Sequence, residues 1–85
     1  MVAGWFNALM TQAEQIVAGL GGLGNIVEIE ACITRLRTAL HDSALVDEGL
    51  LRAAGAHGIM RTGATVQVVV GPLADTIASQ IEDLL

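Results

Sequence analysis

Apolar residues recur at helical spacing from Ala13 through Ile16, Val17 and Leu20, the period that puts side chains on one face of an α-helix. Thr11 and Glu14 stand three apart just ahead of that stripe. There each side chain can satisfy a free amide at the helix start, forming a capping box. Gly21 and Gly22 supply the stop, because glycine takes the left-handed conformation that ends helices without penalty. The predicted helix therefore covers about residues 11–20. The stripe also runs upstream through Leu9 and Phe6, so residues 1–10 read either as an earlier start of this helix or as an N-terminal extension.

The next sixteen residues, NIVEIEACITRLRTAL, are rich in β-branched side chains and read as strand. Their parity changes midway. Val27, Ile29, Ala31 and Ile33 are apolar at odd positions, whereas Leu36 and Leu40 are apolar at even positions and Arg35 and Arg37 take the odd ones. A strand cannot exchange faces without a turn or a bulge. The pattern predicts two strands, about 25–31 and 34–40, with Cys32 at the break; a single bulged strand is the competing reading.

Downstream, Asp47 caps a short helix with Leu50, Leu51 and Ala54 on its buried edge and Gly55 at its end. Two strands follow around Thr62-Gly63. In the second, Val66, Val68 and Val70 face one way, and Thr65, Gln67 and Val69 the other. Pro72 occupies a favoured first helical position of a last helix with Leu73, Ile77, Ile81 and Leu84 or Leu85 on one face. The order α-β-β-α-β-β-α predicts an α+β fold. It is expected to be a four-stranded, mostly antiparallel sheet with three helices on one face, the other face solvated and carrying Arg35, Arg37 and Gln67.

Composition narrows the function. The chain has 85 residues, nine carboxylates, four basic side chains and a formal net charge of −5. One domain is expected at this length. The acidity excludes general nucleic-acid binding, which draws its affinity from a basic face, and GGLG at residues 21–24 reads as a helix stop rather than a nucleic-acid loop. A lone cysteine forms no internal disulfide and suits a reducing, cytoplasmic compartment. One cysteine and two histidines make no zinc set, and His41 and His57 read as ordinary surface residues. The opening MVAGWFNALM lacks a positive n-region and is too short to span a bilayer, so no membrane insertion by the chain itself is expected.

Half of the positive charge lies beside the thiol. Cysteine reacts as its thiolate, which a nearby guanidinium favours, and arginine holds phosphate with paired, charge-assisted hydrogen bonds. Arg35 and Arg37, two apart on a strand, share one face. Amides freed at a turn after Cys32 add donors. The set suits a nucleophile that takes up and holds a phosphoryl group. The plainer reading of a lone strand cysteine is an inert buried side chain.

LGGLGNIVEIEACITRLR resembles the signature of the enzyme IIB domain of the bacterial phosphoenolpyruvate-dependent sugar phosphotransferase system, glucose/N-acetylglucosamine branch. The likeness continues through VDEGLLRAAGAHGIM, VQVVVG and the last helix, over residues 11–85. The resemblance implies an antiparallel four-stranded sheet with three helices on one side. It implies that Cys32 accepts a phosphoryl group from a phosphohistidine of the IIA component and passes it to a sugar, N-acetylglucosamine or glucose, carried by the membrane component IIC. By position, Arg35 and Arg37 are the arginines expected to matter most for transfer to sugar. Thr34 and Gln67 line the site, and Glu30 stands where many members have Asp. The docking surface for IIA is then expected to be the solvated face around Cys32, with Ile33 as an apolar contact. No cofactor or metal is implied. The expected setting is the cytoplasm, at the inner face of the cell membrane through IIC, and the chain is expected to be a stand-alone IIB subunit or an excised domain. Two other functions fit the same residues: a regulatory protein-binding domain with an incidental cysteine, and a thiol redox sensor, since arginine-flanked cysteines are also good oxidation targets.

Overall fold

The computed structural model describes residues 10–85. Expectations about residues 1–9, the earlier helix start through Phe6 and Leu9 among them, lie outside that range.

Helix α1 (Gln12–Gly19) begins as its cap predicts. The Thr11 amide donates to Glu14 Oε1 at 2.9 Å and the Glu14 amide donates to Thr11 Oγ1 at 3.2 Å, an arrangement worth about 1 kcal/mol relative to an alanine cap. Ala13, Ile16, Val17 and Leu20 are all buried. Gly21 and Gly22, with φ near +100°, turn the chain away.

Strands β1 (Ile26–Cys32) and β2 (Arg35–Leu40) form a hairpin, and β3 (Gly58–Thr62) and β4 (Thr65–Val69) form another. The two hairpins join through β2 and β4, so the sheet runs β1-β2-β4-β3 with every pairing antiparallel. Helix α2 (Glu48–Ala53) is capped by Asp47, whose Oδ1 accepts from the Leu50 amide. Helix α3 (Ala74–Leu84) closes the chain. The three helices cover one sheet face, as expected. Leu36, Thr38, Leu40, Val66 and Val68 point from the sheet into the core, meeting Ile16, Leu20, Leu51, Ile77 and Ile81. Thr38 is 1% exposed, and its hydroxyl donates to the Val66 carbonyl at 2.8 Å, so its burial leaves no polar atom unpaired.

Several inward positions differ from expectation. The pairing of β1 with β2 shifts register between Ile26 and Glu28. This bulge makes Val27 the extra residue, 53% exposed, and turns both Ile26 and Ile29 inward. A turn and a bulge are therefore both present. Leu50 sits at the surface beside the fully buried Leu51. Helix α3 starts at Ala74, with Pro72 in the preceding turn rather than at the first helical position. Its buried face is Ala74, Ile77, Ala78 and Ile81, while Leu73, Leu84 and Leu85 are exposed. Small residues on that face let the helix approach the sheet closely.

Candidate functional site

The register of the sheet assembles the outer face. Cys32 pairs with Arg35, and Arg35 pairs on its other side with Val69, which pairs with Gly58. The neighbouring outward row runs Glu30, Arg37, Gln67, Met60. Strand pleating sends both rows to the face without helices. Cys32, Arg35, Arg37 and Glu30 are exposed, and Gln67 is half-buried. The parity argument thus puts Cys32 and both arginines on one face, and the exposure of Cys32 rules out the reading of a buried side chain. Cys32 is the last residue of β1, with the turn one position later, at Ile33 and Thr34.

That turn is unusual in its chemistry. Ile33 has φ of +58° and is 88% exposed. A β-branched residue in the left-handed region is a genuine outlier, costing about 1–3 kcal/mol. A positive φ at only the first of two loop positions is the type II′ pattern, where glycine is usual. The other hairpin follows that rule, with Gly63 at φ +60°. The Ile33 turn is held from behind: the Thr34 carbonyl accepts from the amides of Val70 and Gly71, at 3.0 and 3.1 Å. The amides of Ile33 and Thr34 themselves donate to no group among the described residues.

The four basic side chains divide into two pairs. Arg52 and Arg61 both reach Glu48, at 4.0 and 3.4 Å, and Arg61 also donates to the Ser43 carbonyl, fastening β3 to α2. Arg35 and Arg37 form no salt bridge among the described residues, although Glu30 lies directly opposite Arg37. Arg35 Nη1 donates to Gln67 Oε1 at 3.3 Å and approaches Met60 Sδ at 3.9 Å. The Arg37 guanidinium has no hydrogen-bond partner among the described residues. It lines a shallow depression of about 260 Å³ with Glu28, Glu30 and Thr65. Two arginines without carboxylate partners among the described residues, an exposed thiol and two free amides thus share one face, groups whose chemistry suits an anion.

Met60 is a neighbour of Arg35 that the sequence pattern does not single out. It is 41% exposed and carries no motif. Counting back from the Thr62–Gly63 turn pairs it with Gln67, and that count is the signal that finds it. His41 and His57 are exposed and lie outside these rows. Among the described residues no group of His, Cys, Asp or Glu has the arrangement to hold a metal ion, and no helix is long and apolar enough to cross a membrane.

Residues 14–47 match the family model for the phosphotransferase system, EIIB. The chain is 58% identical over 77 residues to the PTS system N-acetylglucosamine-specific EIIB component of Streptomyces coelicolor, covering 91% of this chain and all of that protein. It is 42% identical over 77 residues to the phosphotransferase enzyme IIB component GlvB of Escherichia coli, of which it spans 48%. It is 45% identical over 67 residues to the PTS system N-acetylglucosamine-specific EIICB component of Bacillus subtilis, of which it spans 15%. Among solved structures, one domain of the PTS system IIabc component from Clostridium difficile superposes with a TM-score of 0.72 over 98% of this chain and 84% of that one. At 20% identity that likeness establishes the fold.

Proposed function

The chain belongs to the EIIB family of the sugar phosphotransferase system, and from that premise we propose that it is a phosphoryl carrier in which Cys32 takes a phosphoryl group from a phosphohistidine of IIA and gives it to a sugar handled by IIC. The observation that carries this reading is the exposed Cys32 directly opposite Arg35, with Arg37 in the next outward row and neither arginine engaged by a carboxylate among the described residues.

The chemistry follows from those groups. In the first step the Cys32 thiolate attacks phosphorus, an S–P bond forms, the P–N bond to histidine breaks and the imidazole leaves. Ile33 and Thr34 present free amides to the phosphoryl oxygens in this step, and the arginines present fork donors once the group is on sulfur, where charge must be held for onward transfer. In the second step a sugar hydroxyl attacks phosphorus, the S–P bond breaks, the thiolate is restored as leaving group and the hydroxyl proton passes to solvent or to a base of the partner. Ile33 offers an apolar contact to IIA beside the thiol, and Thr34 and Gln67 line the site. Glu30 stands opposite Arg37 in the register without bonding its guanidinium.

The sugar is N-acetylglucosamine or glucose, the first favoured by the Streptomyces relative named for it. Names that join IIC to IIB in one polypeptide, such as the Bacillus EIICB component, support IIC as the receiving partner and the inner membrane face as the place of work. Incubation with phosphohistidine-bearing IIA tests the carrier step. The expected result is one phosphoryl group added to the wild-type chain and none to Cys32→Ala. Phosphorylation of Cys32→Ala to the same extent would overturn the assignment. Supplying IIC membranes with each sugar in turn then decides between N-acetylglucosamine and glucose.

A further inference from the structure

Resting on the reading of Cys32 as the phosphoryl-bearing residue, we propose that Gln67 and Met60 form a resting berth for Arg35, which the guanidinium leaves for the phosphoryl group once Cys32 carries one. Arg35 stands directly opposite Cys32, at a separation of about 5 Å between Cβ atoms, so its side chain is long enough to cover the thiol. It points elsewhere. Its Nη1 lies 3.3 Å from Gln67 Oε1 on β4 and 3.9 Å from Met60 Sδ on β3. The column of Met60 is three strand spacings from that of Cys32, about 14 Å across the sheet. The guanidinium therefore leans toward side chains of β4 and β3 rather than toward β1.

The berth holds weakly. Both acceptors are neutral, a thioether is a poor acceptor, and 3.3 Å is beyond the usual N–H···O range. Water competes for it, since Arg35 and Met60 are exposed and Gln67 is only half-buried. A phosphoryl group on Cys32 offers charged oxygens instead, whose bonds to arginine are about twice as strong as neutral ones. Arg37 has no such berth, and Glu30 and Gln67 flank it without bonding it. The two arginines thus differ in role: Arg37 stands ready, and Arg35 is recruited. A parked Arg35 leaves the thiol uncovered for the incoming phosphohistidine and adds its charge only after delivery. A carboxylate in place of Met60 would defeat this, because release would then require breaking an ion pair.

Met60 is 41% exposed, outside the core, so its variants keep the fold; urea midpoints check this. The full-length chain is compared as wild type, Met60→Leu and Met60→Glu. Transfer to N-acetylglucosamine is measured with phosphohistidine-bearing IIA and IIC membranes, and the Arg35 Nε–H resonance is followed in free and phosphorylated chains. Met60→Glu is expected to slow transfer by about tenfold and to hold the Arg35 resonance at one position in both states. Met60→Leu is expected to transfer at least as fast as wild type and to move the free-state resonance toward the phosphorylated one. The resonance separates a trapped arginine from a mere negative field, which would slow transfer yet leave Arg35 free to shift. A free-state resonance indifferent to Met60→Leu, or transfer at the wild-type rate in Met60→Glu, would overturn the berth. Failure of the wild-type chain to accept a phosphoryl group on Cys32 would instead overturn the carrier reading, with the berth still decided by the free-state resonance.

Discussion

Ile33 and Gly63 hold the same place in two hairpins of one sheet, with φ of +58° and +60°. Glycine adopts that conformation freely, whereas a side chain there costs about 1–2 kcal/mol. Ile33 recovers none of this by burial, being 88% exposed. Ile33→Gly is therefore expected to leave stability unchanged or to raise it by up to about 1 kcal/mol, the strain relief being partly offset by the freer unfolded chain. A Cβ added at Gly63 meets nothing within 4 Å, so Gly63→Ile reports the φ cost alone and should lower stability by about 1–2 kcal/mol. Urea midpoints of the two variants check the pair, and equal losses would show that Ile33 is not strained. Strain kept beside the thiol proposed to carry the phosphoryl group points to use: Ile33→Gly should also slow phosphoryl uptake from IIA. The arginines are expected to separate the two half-reactions. Arg35→Lys and Arg37→Lys should spare uptake, because phosphohistidine is already a reactive donor. They should reduce transfer to sugar by about tenfold or more, because an ammonium cannot reproduce the two-pronged hold on phosphoryl oxygens. Half-reaction rates measured separately decide this; normal sugar phosphorylation by both variants would refute the assigned roles.

Between elements, Asn25 ties the chain together. It is 4% exposed, and its Nδ2 donates to the carbonyls of Leu20 and Asp42 at 2.8 and 2.9 Å while its Oδ1 accepts from the Asp42 amide at 2.9 Å. The end of α1, the start of β1 and the exit of β2 meet at this one amide. Asn25→Ala strands three backbone groups and is expected to cost about 2–4 kcal/mol, lowering the urea midpoint while leaving phosphoryl uptake per folded molecule intact. How far such elements are legible in the chain depends on how many signals agree. Cap, apolar stripe and glycine stop all point the same way at α1, and its limits and buried face follow. The parity change locates the first hairpin, yet it counts Val27 as inward, because a bulge has no fixed composition and only the register with β2 reveals it. Pro72 suits a helix start equally as it suits a turn, and Gly71 at φ +91° makes it a turn. Leu73, Leu84 and Leu85 mislead because α3 packs on small residues as well as large ones. At the site, alternation alone brings Cys32, Arg35 and Arg37 to one face. The direction in which Arg35 leans, toward Met60, depends on side-chain contacts across three strands that no local pattern encodes.

For the whole molecule, the proposed carrier role raises the question of how an acidic domain absorbs a further anion. Phosphorylation adds about −1.5 to −2 charge at pH 7 to a chain already at −5. The general field opposes it, so compensation must be local, and the groups in reach are Arg35, Arg37 and the amides of Ile33 and Thr34. The helices lie on the opposite side of the sheet, with the packed layer of Leu36, Val66, Val68, Ile16, Leu20 and Ile81 between. Packed cores do not deform gradually, and nothing on the outer face pushes on this one. The turn is also anchored from behind by the Thr34 carbonyl bonds to Val70 and Gly71, which limits its travel. The expected response is a redistribution of side chains on a rigid frame. Backbone amide resonances should shift strongly over residues 31–37 and around Gln67 and Met60, and weakly in α1 and α3. Comparing amide spectra of the free and phosphorylated chain tests this directly. Large shifts running through all three helices would mean that the domain switches conformation on loading. Partners would then read the phosphorylated state through the fold, and the description of a rigid carrier with one movable arginine would fail.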